Sequence, residues 1–316
     1  MLHDLDPAVL NARLREGATL ILDAANELSP PLQRLCASLA AEFACACQAN
    51  LYACWGATQG FDVHWDDHDV FVVQVEGRKR WTLYGSTRAA PTRRDHHDEH
   101  VRPETPLEET LLEPGDVLYL PRGYWHAAVG LGGPTMHLTV GLTRKTGSDF
   151  LHWLADYALA DAGARADLPL ERDDAVLGAH LSGVLAGIGT QSPETLARLY
   201  RRHVEAHQAH RPALSFPFLG GEETAFTPDD RIALAPGVAR VTAGGDGRSV
   251  VLSWRGTEYI VDAALAAPLQ ALARGEAVAY AAFEAVVADA ARPLVRPFVA
   301  EMLGRGVFVA HSDRPC

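Results

Sequence analysis

Between about residues 47 and 143 the chain is built of short runs rich in β-branched and aromatic residues: QANLYACW, FDVHW, VFVVQVEG, KRWTLYG, DVLYLP, HAAVG and MHLTVGLT. Gly, Pro and Asp separate them. Many short strands with frequent turn signals predict a sandwich or barrel, and the further run ATLILDA (18–24) brings the strands to about eight, the number of a jelly roll. Between ATLILDA and the barrel runs lies SPPLQRLCASLAAEFA, whose serine at 29 and early prolines predict the start of an amphipathic helix. The period lengthens after residue 148, where DFLHWLADYALADA and SPETLARLYRRHVEAHQAH read as helices. The Pro/Gly-rich PALSFPFLGGEE then interrupts the pattern. Beyond it the chain predicts a hairpin turning at GGDG, a strand TEYIVDA, three helices and a last strand VFVA. The expected fold is mainly β with α: a double-stranded β-helix with an N-terminal helix over 1–147, a helical connector over 148–215 and a winged-helix-like module over 216–316.

Composition narrows the class. A chain of 316 residues suits more than one domain, and 48% hydrophobic with 22% charged residues is ordinary globular composition. No apolar run approaches the roughly 18 residues of a membrane helix, and the N-terminus carries no basic-then-apolar leader pattern, so the expected location is the cytoplasm. Cys36, Cys45, Cys47, Cys54 and Cys316 are odd in number and lack CxxC spacing, which fits reduced thiols. The net charge of −12 argues against direct nucleic-acid binding and is compatible with a basic peptide or protein partner. Residues 221–316 carry 9 Arg against 12 Asp and Glu, which argues against DNA binding by the last module. Lys79 and Lys145 are the only lysines in the chain, which draws attention to where they stand.

Metal-capable groups crowd one stretch, GFDVHWDDHDVFVVQVEGRKRWTLYG (60–85). If FDVHW continues as a strand, alternation puts His64 and Asp66 on one face. PGDVLYLPRGYWH supplies a third group, delivering His126 past the turn at Pro121, Arg122 and Gly123. Two His and one carboxylate on one face of a metal leave open positions, the arrangement of non-haem Fe(II) oxygenases. Lys79 shares its strand face with Trp81 and Leu83, so it points inward, where an ammonium needs an anion. The distal carboxylate of 2-oxoglutarate is such an anion. Lys79 snorkelling to the rim, or pairing with an acid, is the alternative.

The segments NLYACWGATQGFDVHWDDHDVFVVQVEGRKRWTLYG, PGDVLYLPRGYWH and MHLTVGL resemble the JmjC oxygenases of the cupin-4 group, the ribosomal oxygenases among them. The resemblance implies a cupin/JmjC jelly roll, with the metal ligands falling on His64, Asp66 and His126 and the cosubstrate-binding cation on Lys79. Asn50 and Tyr52 match an N-x-Y that lines the cosubstrate pocket in that family. The implied activity is an Fe(II)- and 2-oxoglutarate-dependent dioxygenase, consuming O2, that hydroxylates a protein or peptide side chain, with a ribosomal-protein His or Arg favoured. Hydroxylation of a ribosomally made precursor peptide, N-methyl demethylation and a non-catalytic metal-binding cupin stay open. The family layout also implies homodimer packing by the helices at 148–212. The chain departs from the family in the short stretch before N-x-Y and in Cys54 and Trp55 after it.

Other residues carry weaker signals. His68 and Asp69 are expected beside the site, Asp67 is expected to point away, and Tyr124 and Trp125 fit either the mouth or the core. The sequence leaves His137 without a role. RRDHHDEH (93–100) reads as a solvated loop.

Overall fold

The computed structural model describes residues 6–57, 59–92, 102–170, 173–207, 227–235, 237 and 239–311. RRDHHDEH, the PALSFPFLGGEE break and Cys316 lie outside them. The chain groups into two compact units, Met1–Arg144 and Lys145–Cys316.

The first unit opens with α1 (Pro7–Arg15), β1 (Leu20–Leu22) and α2 (Pro30–Phe43), followed by seven strands: β2 (Ala46–Cys54), β3 (Asp69–Glu76), β4 (Lys79–Ser86), β5 (Glu108–Leu112), β6 (Val117–Leu120), β7 (Tyr124–Gly130) and β8 (Thr135–Thr143). They form a five-stranded sheet of order β1-β2-β8-β3-β6 and a three-stranded sheet of order β5-β4-β7, every pairing antiparallel. Val70, Val72 and Leu120 from the larger sheet meet Trp81, Leu83 and Leu112 from the smaller one in a common core. These are alternate positions on their strands, so pleat geometry alone sends them inward. α2 lies against the larger sheet, where Cys36 packs with Ala49 and Val140. Ser29 is the residue before α2, but its side chain makes no capping hydrogen bond; prolines at the start provide the helical φ instead.

Eight strands match the expected number with a different membership. FDVHW is not a strand: His64 makes one isolated bridge with His126. β5 takes its place, and its sequence, EETLL, hides it because the edge it forms is acidic and exposed. Two irregularities interrupt the pairing, one in β3 against β8 at Gln74 and Glu76, and one in β4 against β7 between Leu83 and Gly85, next to His126. Bulges of this kind re-aim neighbouring side chains.

The second unit contains α3 (Gly147–Ala158), α4 (Ala162–Arg165), α5 (Asp174–Ile188) and α6 (Pro193–His207), then β9 (Arg231–Leu234), β10 (Ala239–Ala243), β11 (Ser249–Trp254), β12 (Thr257–Asp262), α7 (Ala266–Ala273), β13 (Val278–Ala279), α8 (Tyr280–Ala285), α9 (Arg292–Gly304) and β14 (Phe308–His311). Thr146 and Asp149 cap α3 reciprocally. The hairpin at GGDG is present as β10-β11, extended by β12, while β9 and β13, absent from the sequence reading, join β14 in a second sheet. Leu252, Leu269, Phe283, Val299 and Phe308 are fully buried in one core of this unit. No helix among the described residues is long and apolar enough to cross a membrane.

The β3–β4 turn places Gly77 at φ +63°, and a Cβ there would sit 2.1 Å from the Pro134 carbonyl oxygen, a main-chain atom that has nowhere to go. Gly77→Ala is therefore expected to destabilise the barrel by about 2 kcal/mol or more, lowering its thermal midpoint by about 5 °C. Circular dichroism melting of the variant against the wild type checks this.

Candidate active site

His64 and His126 are joined main chain to main chain: His126 N–H donates to the His64 carbonyl at 2.8 Å and His64 N–H to the His126 carbonyl at 3.1 Å. One residue pair thus fixes two imidazoles from segments about sixty positions apart. The loop around it keeps the alternation of a strand without being one. Val63 and Trp65 pack with Trp125 and Ala127, while His64 and Asp66 line the cavity on the other side. Gly123 N–H donates to the Asp66 carbonyl at 2.9 Å, and Arg122 N–H to the Asp69 carboxylate at 3.0 Å, so the turn before His126 is tied to the loop that carries Asp66.

The metal-capable atoms of His64, Asp66 and His126 all lie within 4.8 Å of one another. His126 Nε2 is 3.7 Å from an Asp66 oxygen. Each imidazole is oriented by a main-chain carbonyl two residues back: His64 Nδ1 lies 2.8 Å from the Asp62 oxygen, and His126 Nδ1 2.8 Å from the Tyr124 oxygen. A carbonyl only accepts, so both Nδ1 atoms carry hydrogen and both Nε2 lone pairs remain for a ligand, the usual tautomer arrangement of metal-binding histidines. Burial, and then the neighbouring His64, hold the His126 pKa below its ordinary value, with Asp66 opposing in part. Two imidazoles, each with Nε2 turned away from its carbonyl partner, and one carboxylate suit a first-row divalent metal such as Fe(II) and leave positions for other ligands.

These groups open into a cavity of about 310 Å³ that also takes in Asn50, Tyr52, His68, Lys79, Trp81 and His137, a size suited to a small ligand. Lys79 is only 5% exposed. It begins β4, whose inward positions continue with Trp81 and Leu83. Burial pushes its pKa down from the usual lysine value. Its ammonium lies 3.0 Å from His137 Nδ1. An ammonium only donates, so Nδ1 accepts and His137 keeps its proton on Nε2. Burial, then the charge of Lys79, drives the His137 pKa down to about 3. The ring of His137 stacks on Tyr52 at 4.9 Å and meets Trp81 at right angles at 5.5 Å.

The structure brings His64, Asp66, His126 and Lys79 into one cavity, with Asn50 and Tyr52 on its wall. Asn50 Oδ1 is engaged by Ala24 N–H and the Gln48 amide, each at 2.9 Å, so only its NH2 is available to a ligand. His68 lines the cavity, while Asp67 is not among its lining residues and lies 3.0 Å from His68 Nδ1. Asp69 is a strut rather than a cavity group, bonded to Arg122 N–H and, at 3.3 Å, to Arg144. Trp125 belongs to the core and donates to the Thr87 hydroxyl, and Tyr124 packs against the inter-sheet core. His137 and Trp81 are the cavity groups that sequence reasoning left without a role. The register of β8 on β2, Tyr52 opposite His137, is the signal that pairing would have supplied.

The eight-stranded barrel thus brings two histidines and an aspartate together at a point where they could hold a metal ion. Residues 24–150 match the JmjC domain family. Over 98 residues the chain is 40% identical to the bifunctional lysine-specific demethylase and histidyl-hydroxylase NO66 of Drosophila persimilis, covering 31% of this chain and 14% of that protein. Ribosomal oxygenase 1 of Gallus gallus is 34% identical over 175 residues, 52% of this chain and 29% of its own length. The chain thus spans well under half the length of these curated relatives. The ribosomal oxygenase YcfD of Escherichia coli, solved with cobalt and succinic acid, shares the fold with a TM-score of 0.59 at 20% identity, over 93% of this chain and 78% of that one.

The His137 environment makes a pH prediction. Its folded pKa of about 3 lies below the ordinary histidine value of 6.5, so between those values the unfolded chain binds a proton that the folded one does not. The stability contribution is complete above about pH 6.5 and is lost as pH falls towards 3, by at most about 1.4 kcal/mol per pH unit. Urea denaturation at pH 7 and pH 5 should show that His137→Gln has a shallower pH dependence than the wild type.

Proposed function

We propose that this chain is an Fe(II)- and 2-oxoglutarate-dependent oxygenase that hydroxylates an amino-acid side chain of a protein or peptide, with a ribosomal-protein His or Arg as the favoured target. The observation that carries this is the pairing of two features in one cavity: three convergent donors of the right chemistry for the metal, and a buried ammonium whose hydrogen-bond partner is a histidine, with no carboxylate in salt-bridge range among the described residues. The names of the relatives support it, since they describe a histidyl-hydroxylase and ribosomal oxygenases. So does the fold, shared with a ribosomal oxygenase that has been solved with cobalt and 2-oxoglutarate.

On this reading His64, Asp66 and His126 would hold the iron, which when bound would activate O2, the oxidant that converts 2-oxoglutarate to succinate and CO2 and the substrate C–H bond to C–OH. The carbonyls of Asp62 and Tyr124 keep both imidazoles in the ligating tautomer. Lys79 takes the distal carboxylate of the cosubstrate. That charge offsets the desolvation of its ammonium and raises its pKa back towards the ordinary value. His137, uncharged and seated on Tyr52, holds the lysine side chain in place without competing as a cation. Asn50 and Tyr52 complete the cosubstrate wall. The walls of the cavity keep bulk water from the reacting carbon.

The lysine-demethylase part of the NO66 name favours a second reading on the same site, N-methyl oxidation, marked by formaldehyde release. A ribosomally made precursor peptide is the alternative protein-class substrate. A non-catalytic cupin would have no use for the buried Lys79. The cytoplasm as location, the winged-helix-like character of the last module and homodimer packing by α3, α5 and α6 belong to the same proposal. Exposed Leu151, Leu181 and Leu185 on these helices support the last point.

His64→Ala and Asp66→Ala are each expected to abolish 2-oxoglutarate turnover in a succinate-release assay with ribosomes or peptide as substrate; turnover at the wild-type rate in either would refute the assignment. Lys79→Ala should raise the 2-oxoglutarate concentration needed for half-maximal rate by about a hundredfold, the scale of a lost charge-assisted hydrogen bond with its buried partner left unpaired. Light scattering of the purified chain should give the mass of a dimer.

A further inference from the structure

The inner part of the cavity presents donors. The Lys79 ammonium donates to His137 at 3.0 Å, and that contact leaves the His137 proton on Nε2. Trp81 adds another. It is 4% exposed and lines the cavity, yet its Nε1–H has no hydrogen-bond partner among the described residues. The fold does satisfy indole nitrogens elsewhere: Trp125 donates to the Thr87 hydroxyl at 2.9 Å, and Trp254 to the Ala235 carbonyl at 3.3 Å. A buried N–H without an acceptor costs its desolvation outright, and such groups in folded proteins call for a specific explanation. Packing does not require the nitrogen, because a phenyl ring would fill much of the same space without the penalty. A ligand that brings an acceptor removes it.

The position of the indole says which part of the ligand that is. Its ring lies 5.7 Å from the His126 ring and 5.5 Å from the His137 ring. It therefore adjoins both a proposed metal ligand and the histidine that meets Lys79. On β4 it is the next inward residue after Lys79. We infer that the Trp81 indole N–H is a hydrogen-bond donor to a carboxylate of the bound 2-oxo diacid, a second reader of the cosubstrate beside Lys79. The inference rests on the oxygenase reading above. It gives this cavity a preference for a dianion, since a neutral or monoanionic 2-oxo acid cannot satisfy both donors and the metal together.

The test uses the full chain loaded with zinc, which is diamagnetic, and labelled with 15N-tryptophan. The Trp81 indole resonance is assigned by nuclear Overhauser contacts to the His126 and His137 rings and by its loss in Trp81→Phe. Adding 2-oxoglutarate should move that proton resonance downfield while the other indole resonances stay in place. Calorimetry of the same zinc-loaded protein should show that Trp81→Phe binds 2-oxoglutarate about tenfold more weakly, or about 1.4 kcal/mol. A Trp81 resonance unmoved at saturation overturns the inference and assigns the N–H to a π contact with His137; unchanged affinity in a folded Trp81→Phe overturns it as well. Should the variant not fold, the wild-type spectrum decides alone. Absence of 2-oxoglutarate binding by the wild type is a different result: it overturns the oxygenase reading and this inference with it.

Discussion

The two main-chain hydrogen bonds that join His64 and His126 are the constraint on which the site depends. Side-chain contacts could bring two imidazoles together, but long side chains would leave them loose. A reciprocal backbone pair fixes the Cα positions, and the carbonyls of Asp62 and Tyr124 then fix the rings. The pair forms without a regular strand on one side, so the loop from 60 to 68 must be held by other means. It is held by Val63 and Trp65 against Trp125 and Ala127, and by the turn at 121–123, which bonds to Asp66 and Asp69. The apolar contacts carry the loop, and the polar ones set its phase.

A second constraint lies deeper. Removing Lys79 from water is unfavourable unless an anion meets it, and among the described residues its nitrogen is met by the neutral His137. Burial leaves Lys79 a destabilised cation, and the same burial, with the lysine's charge, lowers the His137 pKa to about 3, so the histidine adds no second charge near neutral pH. The His64–Asp66–His126 cluster and the groups around Lys79 come from different strands: β7 and the loop before β3 for the first, β4, β2 and β8 for the second. Because β4 pairs with β7, and β8 with β3, a change in barrel packing would displace both sets together.

Much of the barrel was legible because strand periodicity is a local signal. The inward set of Lys79, Trp81 and Leu83 could be read directly from KRWTLYG, and the burial of these three residues follows that alternation. Where local signals conflicted, the reading failed for identifiable reasons. FDVHW has the composition of a strand but pairs at one position only, whereas EETLL has the charge of a loop and forms an edge strand whose acids face water. Asp69 carried the same chemistry as Asp66 in the sequence, and only its contact with Arg122 and Arg144 shows it to be a strut.

By itself the sequence determined the residue types available to the site, the strand alternation that turns Lys79 inward, and the resemblance of its motifs to a JmjC barrel. These depend on neighbours within a few positions, where pleat and turn preferences act. Tertiary structure decided what depends on pairing across the chain: which face of the loop reaches His126, which nitrogen each imidazole leaves free, and that His137 and Trp81 share the cavity with Lys79. Register between distant strands is set by the packing of the whole core, a sum over many contacts to which no single stretch of residues holds the key.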